Sequence, residues 1–192
     1  MKKNRVLVFL LALVVLMTAA LPAMAEGEEP KRYEYANFTY ILLDDGTAEI
    51  VSYKSDDIST KIEIPDQLDG YTVSSVSGNP FQSGEQVINF DVAPDNPYFA
   101  VIDGVLFSKA DKRLVAYPKN AAAESYSVPQ GIRIIGDSAF YECVSLQSIT
   151  IPDSVTSIGD SAFYDCVSLQ SITIPDSVTS IGDSAFYNCG SL

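Results

Sequence analysis

Three cysteines, Cys143, Cys166 and Cys189, stand 23 residues apart, and they are the side chains of this chain best suited to covalent or metal chemistry. Cysteines at a suitable distance form disulfides, and a converging set of thiolates holds zinc. If the chain forms stacked coils with one cysteine in each, the three side chains point in parallel and not towards one another. We therefore interpret them as small buried apolar side chains, and we predict no metal site.

Aspartates recur at the same spacing, at Asp137, Asp160 and Asp183. A column of carboxylates attracts cations, but calcium sites need six to eight converging oxygen ligands, and no calcium-binding loop is present in the sequence. We expect these aspartates to serve turns instead. In particular, Asp183 is predicted to be the N-cap of a single helical turn over Asp183–Phe186.

The composition argues against an enzyme and against a nucleic-acid partner. The chain has no histidine, which removes Ser-His and Cys-His catalysis and imidazole ligands. It also lacks a glycine-rich phosphate loop, so we predict no catalytic residues and no cofactor. The net charge of −13 repels phosphate backbones, and the 47% apolar content indicates a folded protein.

The N-terminus has the layout of a secretory signal peptide. Basic residues precede an apolar run over Val6–Leu21, and a small-x-small cleavage pattern ends at Ala25. The run is short for a transmembrane helix. We therefore expect residues 1–25 to be removed, leaving a secreted or cell-surface protein with no membrane insertion after cleavage.

The dominant feature of the sequence is a repeat of 23 residues. Asp137–Gly159 and Asp160–Gly182 differ only at Glu142, which aligns with Asp165, and a third unit begins at Asp183. In each unit an Ile-Thr-Ile segment predicts a short strand that ends at proline, and a second extended segment ends at glycine. Such coils bury their apolar residues only by stacking, which predicts a mainly β repeat solenoid with short helical turns.

The repeat pattern Leu-x-x-Ile-x-Ile-Pro-x-x-Val-x-x-Ile-Gly-x-x-Ala-Phe-x-x-Cys, best kept over residues 126–192, resembles the bacterial surface leucine-rich repeat of the BspA and Treponema pallidum type. The resemblance implies a right-handed superhelix on a secreted or surface protein, typically one used for adhesion. The family pattern contains no catalytic residues, so the resemblance assigns no catalytic residue to this chain.

The expected organisation follows from the repeat. Residues 26–61 form a linker and an N-terminal β-hairpin cap, in which Phe38–Leu42 pairs with Ala48–Tyr53. Residues 62–192 form the leucine-rich repeat domain. Within it we expect a divergent coil over 62–95, a three-stranded β-meander insertion over 96–118 that bulges from the solenoid wall, and regular coils over 126–192.

Two sets of residues form the candidate binding surface. The outward strand positions carry hydroxyls, at Ser148, Thr150, Ser171 and Thr173, and a column of aromatic side chains is formed by Tyr141, Tyr164 and Tyr187. The hydroxyls suit glycans or peptide backbones, but they also suit a solvated strand with no ligand. The tyrosines are either exposed for binding or packed over the turn. The favoured function is a non-catalytic module that binds an extracellular protein or glycan.

The third unit stops at Leu192, partway through the pattern, so we expect the repeat domain to be truncated at the C-terminus. An alternative function is therefore a spacer solenoid that presents a missing C-terminal domain. The open last coil also predicts end-to-end self-association.

Overall fold

The computed structural model describes residues 29–54, 60–83 and 86–192, and every regular element within these ranges is a β-strand. The predicted signal peptide lies outside the described residues, as do residues 26–28 and 55–59 of the predicted linker and cap. No helix able to cross a bilayer is present in the part of the chain that the structure describes.

Seven strands build the N-terminal part. They are β1 (Arg32–Tyr35), β2 (Phe38–Leu42), β3 (Ala48–Tyr53), β4 (Lys61–Ile64), β5 (Gln67–Leu68), β6 (Tyr71–Val76) and β7 (Asn89–Val92). The first three form antiparallel hairpins, and β3 then pairs in parallel with β6, so the sheet order is β1-β2-β3-β6-β5. Strands β4 and β7 pair in parallel as a separate sheet. Their inward side chains, with Tyr40 and Ile50, form one apolar core.

The next three strands form the meander β8 (Phe99–Ile102), β9 (Val105–Ser108) and β10 (Arg113–Ala116). The prediction that this segment bulges from the solenoid wall is wrong, because every residue of β9 is buried. Val105 and Phe107 pack in the core of the regular coils, whereas Leu106 and Val115 pack in the N-terminal core. Strands β9 and β10 thus form an internal layer between two cores, whereas β8 is the edge strand and its Ile102 is 45% exposed. Successive apolar residues of β9 pack in opposite cores, because neighbouring side chains of a strand point to opposite faces.

The regular coils use six short strands, β11 (Ser125–Ser127), β12 (Ile134–Ile135), β13 (Ser148–Thr150), β14 (Ser157–Ile158), β15 (Ser171–Thr173) and β16 (Ser180–Ile181). Strands β11, β13 and β15 form one parallel ladder, and β10, β12, β14 and β16 form a second. The register pairs residues 23 apart, such as Ile149 with Ile172. The predicted stacking of equivalent residues and the solenoid class are confirmed.

The corner between coils differs from the prediction. Asp183–Phe186 is a series of turns and not a helical turn, because Ser184 has a φ of +55°, in the left-handed region. The equivalent serines, Ser138 and Ser161, have φ values of +54° and +53°. A right-handed helix cannot continue through such a residue.

A stack of phenylalanines holds the regular coils together at this corner. The Phe163 ring lies 4.9 Å from that of Phe140 and 5.2 Å from that of Phe186, with interplanar angles of 11° and 4°. Phe140 and Phe163 are fully buried. Each ring therefore covers the next, and burial of the column depends on the coils above and below.

Candidate functional site

The predicted hydroxyl surface is present as two rows on the ladder of β11, β13 and β15. Ser148 pairs with Ser171, and Thr150 pairs with Thr173. Three of these four residues are exposed, whereas Ser148 is half-buried. Their side chains lie outside because Ile149 between them points into the core, and successive residues of a strand point to opposite faces.

Both rows extend one coil further than the sequence prediction. Ser125 pairs with Ser148, and Ser127 pairs with Thr150. Both additional serines are exposed. The signal for them was the alignment of Tyr126 with Ile149, which places Ser125 and Ser127 at the outward positions of the strand.

The predicted tyrosines form a stack on a different part of each coil. The ring centroids of Tyr141 and Tyr164 are 5.2 Å apart, and those of Tyr164 and Tyr187 are 4.7 Å apart, with interplanar angles of 11° and 16°. Tyr141 and Tyr164 are half-buried, and Tyr187 is 57% exposed. Among the described residues no hydrogen bond joins these tyrosines to the hydroxyl rows, so the candidate residues form two separate surfaces.

The hydroxyls of Tyr141 and Tyr164 stay protonated at neutral pH, because the pKa of each is raised. Burial, followed by the neighbouring carboxylate of Glu142, raises the pKa of Tyr141. Burial and the carboxylate of Asp165 also raise the pKa of Tyr164. Tyr141 and Tyr164 therefore present neutral phenols, which both donate and accept hydrogen bonds.

The aspartate column connects successive coils. Asp137 Oδ1 accepts a hydrogen bond of 3.0 Å from the backbone N–H of Asp160, and Asp160 Oδ1 accepts one of 2.8 Å from that of Asp183. The aspartates were expected to serve turns, and the structure shows that each side chain bonds to the backbone of the next coil. Glycine is required nearby, because a Cβ on Gly159 would lie 2.6 Å from the backbone nitrogen of Asp137.

The cysteines form a column of free thiols. Cys166 Sγ donates a hydrogen bond of 3.0 Å to the carbonyl of Phe140, and Cys189 Sγ donates one of 3.1 Å to that of Phe163. Burial raises the pKa of Cys189 to about 11 and raises that of Cys143 well above its usual value. Within the described ranges no group of three or more acidic, cysteine or histidine side chains is placed to hold a metal ion.

Comparison with known proteins identifies the repeats. The family described as the BspA type leucine rich repeat region matches residues 116–192 in six copies. Residues 116–192 are BspA-type leucine-rich repeats. The matched range begins in β10 and includes both parallel ladders of the regular coils.

Solved structures extend this likeness to the fold of a larger part of the chain. A leucine-rich repeat protein from Eubacterium ventriosum is 25% identical, with a TM-score of 0.62 over 74% of this chain and 40% of its own. The pneumococcal vaccine antigen PcpA is 24% identical, with a TM-score of 0.57 over 69% of this chain and 36% of its own. This chain therefore spans about two fifths or less of the length of these two solved proteins. A search of the curated proteins found no match.

Proposed function

We propose that this protein is a secreted or cell-surface binding module that acts without catalysis and attaches to an extracellular protein through its regular coils. The observation that carries the proposal is the pair of exposed hydroxyl rows, which three paired strands hold at fixed spacing. A rigid row of hydroxyls binds a partner at little entropic cost, because β-strands already fix the backbone that carries them.

The tyrosine stack favours a protein over a glycan as the partner. Sugars stack on the open face of an aromatic ring, but both faces of Tyr164 are covered, and Tyr141 and Tyr187 each have one face covered by Tyr164. Along the middle of the stack, only ring edges and hydroxyls are accessible. Tyrosines presented in this way are enriched at protein interfaces, where an apolar body and a polar tip act together.

The charge of the chain indicates the kind of surface that the partner presents. Acidic residues outnumber basic ones by 25 to 12. A basic patch on the partner would be attracted over about a Debye length, roughly 10 Å at 0.1 M salt, which raises the association rate. The proposed extracellular location rests on the N-terminal sequence, whose order of basic, apolar and small residues is that of a signal peptide.

The test is a binding screen of the purified chain against immobilised extracellular glycoproteins, the same proteins after deglycosylation, and a glycan array. We expect saturable binding that survives deglycosylation and weakens as salt is raised. The variant Thr150→Lys with Thr173→Lys should reduce this binding, because the added positive charges repel a basic partner. The matched control is Thr156→Lys with Thr179→Lys, the same change in the same two coils at exposed threonines outside the hydroxyl rows.

Three results would contradict the proposal. Binding equal to background on every surface would remove the binding function. Binding only to the glycan array, or only before deglycosylation, would replace the protein partner by a sugar. An equal loss of binding in the threonine variant and its control would show that the hydroxyl rows are not the contact surface.

A further inference from the structure

A groove of about 530 Å³ opens where the first ladder of the solenoid is interrupted. Strands β4 and β7 form one parallel pair, and β11, β13 and β15 form the next parallel set, with no pairing between β7 and β11. The inward column breaks at the same place, because Phe90 ends the first set and Tyr126 begins the second. The groove thus occupies the position that a strand between β7 and β11 would fill if the ladder were continuous.

One wall of the groove is the free edge of β11. On its paired edge, the carbonyl of Glu124 accepts hydrogen bonds from Gln147 and Ser148, and the N–H of Val128 donates to Thr150. Backbone groups alternate between the two edges of a strand, so the N–H and C=O groups of Ser125 and Ser127 face the groove. In the part of the chain that the structure describes, no strand pairs with this edge.

The residues that line the groove determine which ligands can bind in it. Ile88, which is 50% exposed, and the rings of Tyr117 and Tyr126 supply apolar surface. Asp103 lines the groove, and Glu124 stands exposed directly before β11. No lysine or arginine is among the described lining residues. The groove therefore combines apolar contact, an unpaired strand edge and negative charge.

We infer that this groove binds an extended peptide of a partner protein as an added β-strand that runs parallel to β11, as β13 does on the other edge. The peptide backbone pairs with the N–H and C=O groups of Ser125 and Ser127, as in other cases of strand addition. Alternate side chains of the bound peptide are apolar and rest on Tyr117 and Tyr126, and the others are basic and lie near Asp103 and Glu124. This site uses the backbone of Ser125 and Ser127, whose side chains continue the hydroxyl rows, so it adjoins that surface, but it does not depend on the function proposed for the rows.

The test uses three five-residue peptides and the purified chain. The first peptide, acetyl-Lys-Val-Lys-Val-Lys-amide, has the predicted pattern. The second has the same sequence with N-methylated valines, which removes backbone donors from one edge of the peptide. The third replaces the lysines by glutamates. We expect saturable binding of the first, at least about tenfold weaker binding of the second, and still weaker binding of the third as salt is lowered.

Hydrogen exchange of individual amides provides the decisive measurement. In the free protein, the amides of Ser125 and Ser127 should exchange quickly, whereas that of Tyr126, which faces β13, should be protected. The first peptide should slow exchange at both serines. A charge variant, Asp103→Asn with Glu124→Gln, should weaken binding about two- to fivefold at low salt, as for exposed ion pairs.

Asparagine suits position 103 because its φ is +51°, a conformation that asparagine adopts readily. The matched control, Asp153→Asn with Asp176→Asn, makes the same change in net charge outside the groove and should leave the affinity unchanged. The inference is overturned if the first peptide shows no saturable binding up to about 1 mM, the weak limit of useful affinity. It is equally overturned if the N-methylated peptide binds as well, or if the serine amides remain unprotected in the complex.

Discussion

Replacement of the central phenylalanine of the stack tests whether the coils depend on one another for burial. Phe163 is fully buried and lies between Phe140 and Phe186, at 4.9 and 5.2 Å. Truncating a buried phenylalanine to alanine costs about 3–5 kcal/mol. Since two ring contacts disappear together, we expect Phe163→Ala to lower the free energy of unfolding by about 4 kcal/mol.

The matched control is Phe186→Ala, the same change one coil further along. Phe186 is only partly buried and has one phenylalanine partner, so we expect a loss of about 2 kcal/mol. For a chain of this size, these losses correspond to falls in Tm of roughly 12 °C and 6 °C. Urea unfolding followed by circular dichroism, alongside thermal unfolding, would measure both.

The reasoning is refuted if the two variants lose equal stability, or if Phe163→Ala loses less than about 1 kcal/mol, because the central ring would then gain nothing from its second neighbour. Should Phe163→Ala fail to fold, leucine provides the gentler comparison. Phe163→Leu should cost about 1.5 kcal/mol and still exceed the cost of Phe186→Leu.

Three further predictions concern the same coils. Gly159→Ala should destabilise the protein by about 1–3 kcal/mol, since its Cβ would collide with the backbone of Asp137, whereas Gly190→Ala, which meets open space, should change stability little in the same urea assay. Cys189 should react with a thiol reagent faster than the two buried cysteines, at a rate that rises with pH towards its pKa of about 11, and equal rates for all three thiols would contradict their burial. The 192-residue chain should self-associate through the coil that carries Ile181, which is 50% exposed. In light scattering its mean mass should rise with concentration, and Ile181→Lys should abolish that rise. A wild-type chain that stays monomeric at high concentration would exclude this contact.

The regular coils were predictable because their information is local and repeated. Spacings of 23 residues between Cys143, Cys166 and Cys189 set the alignment, and that alignment placed Ile149 opposite Ile172 as the structure does. The same periodicity identified Thr150 and Thr173 as outward residues. Where two nearly identical units follow one another, each residue packs against the equivalent residue of the next unit. The alignment of the sequence repeats therefore also predicts which residues are in contact.

The remaining features depend on contacts between segments far apart in the chain. The hairpin at Asp103 was recognisable from its Asp-Gly turn, but its position between two cores was missed, although a continuous apolar run such as Val105–Phe107 is typical of a strand buried on both faces. The left-handed serines were missed because Ser184 has no sequence mark of that conformation, unlike glycine. The groove beside Ser125 was also missed, because it results from the absence of a strand between β7 and β11, and the sequence does not mark such an absence.

The aspartate and cysteine contacts also restrict how such a protein can change in length. Each carboxylate of the Asp137 and Asp160 pair reaches one residue of the following unit, and each thiol of Cys166 and Cys189 reaches a carbonyl of the preceding one. Deleting or adding a single residue between these positions would misalign both bonds at once. Duplication of a whole unit would reproduce them unchanged, so lengthening and shortening of this array during evolution should proceed in steps of one complete coil.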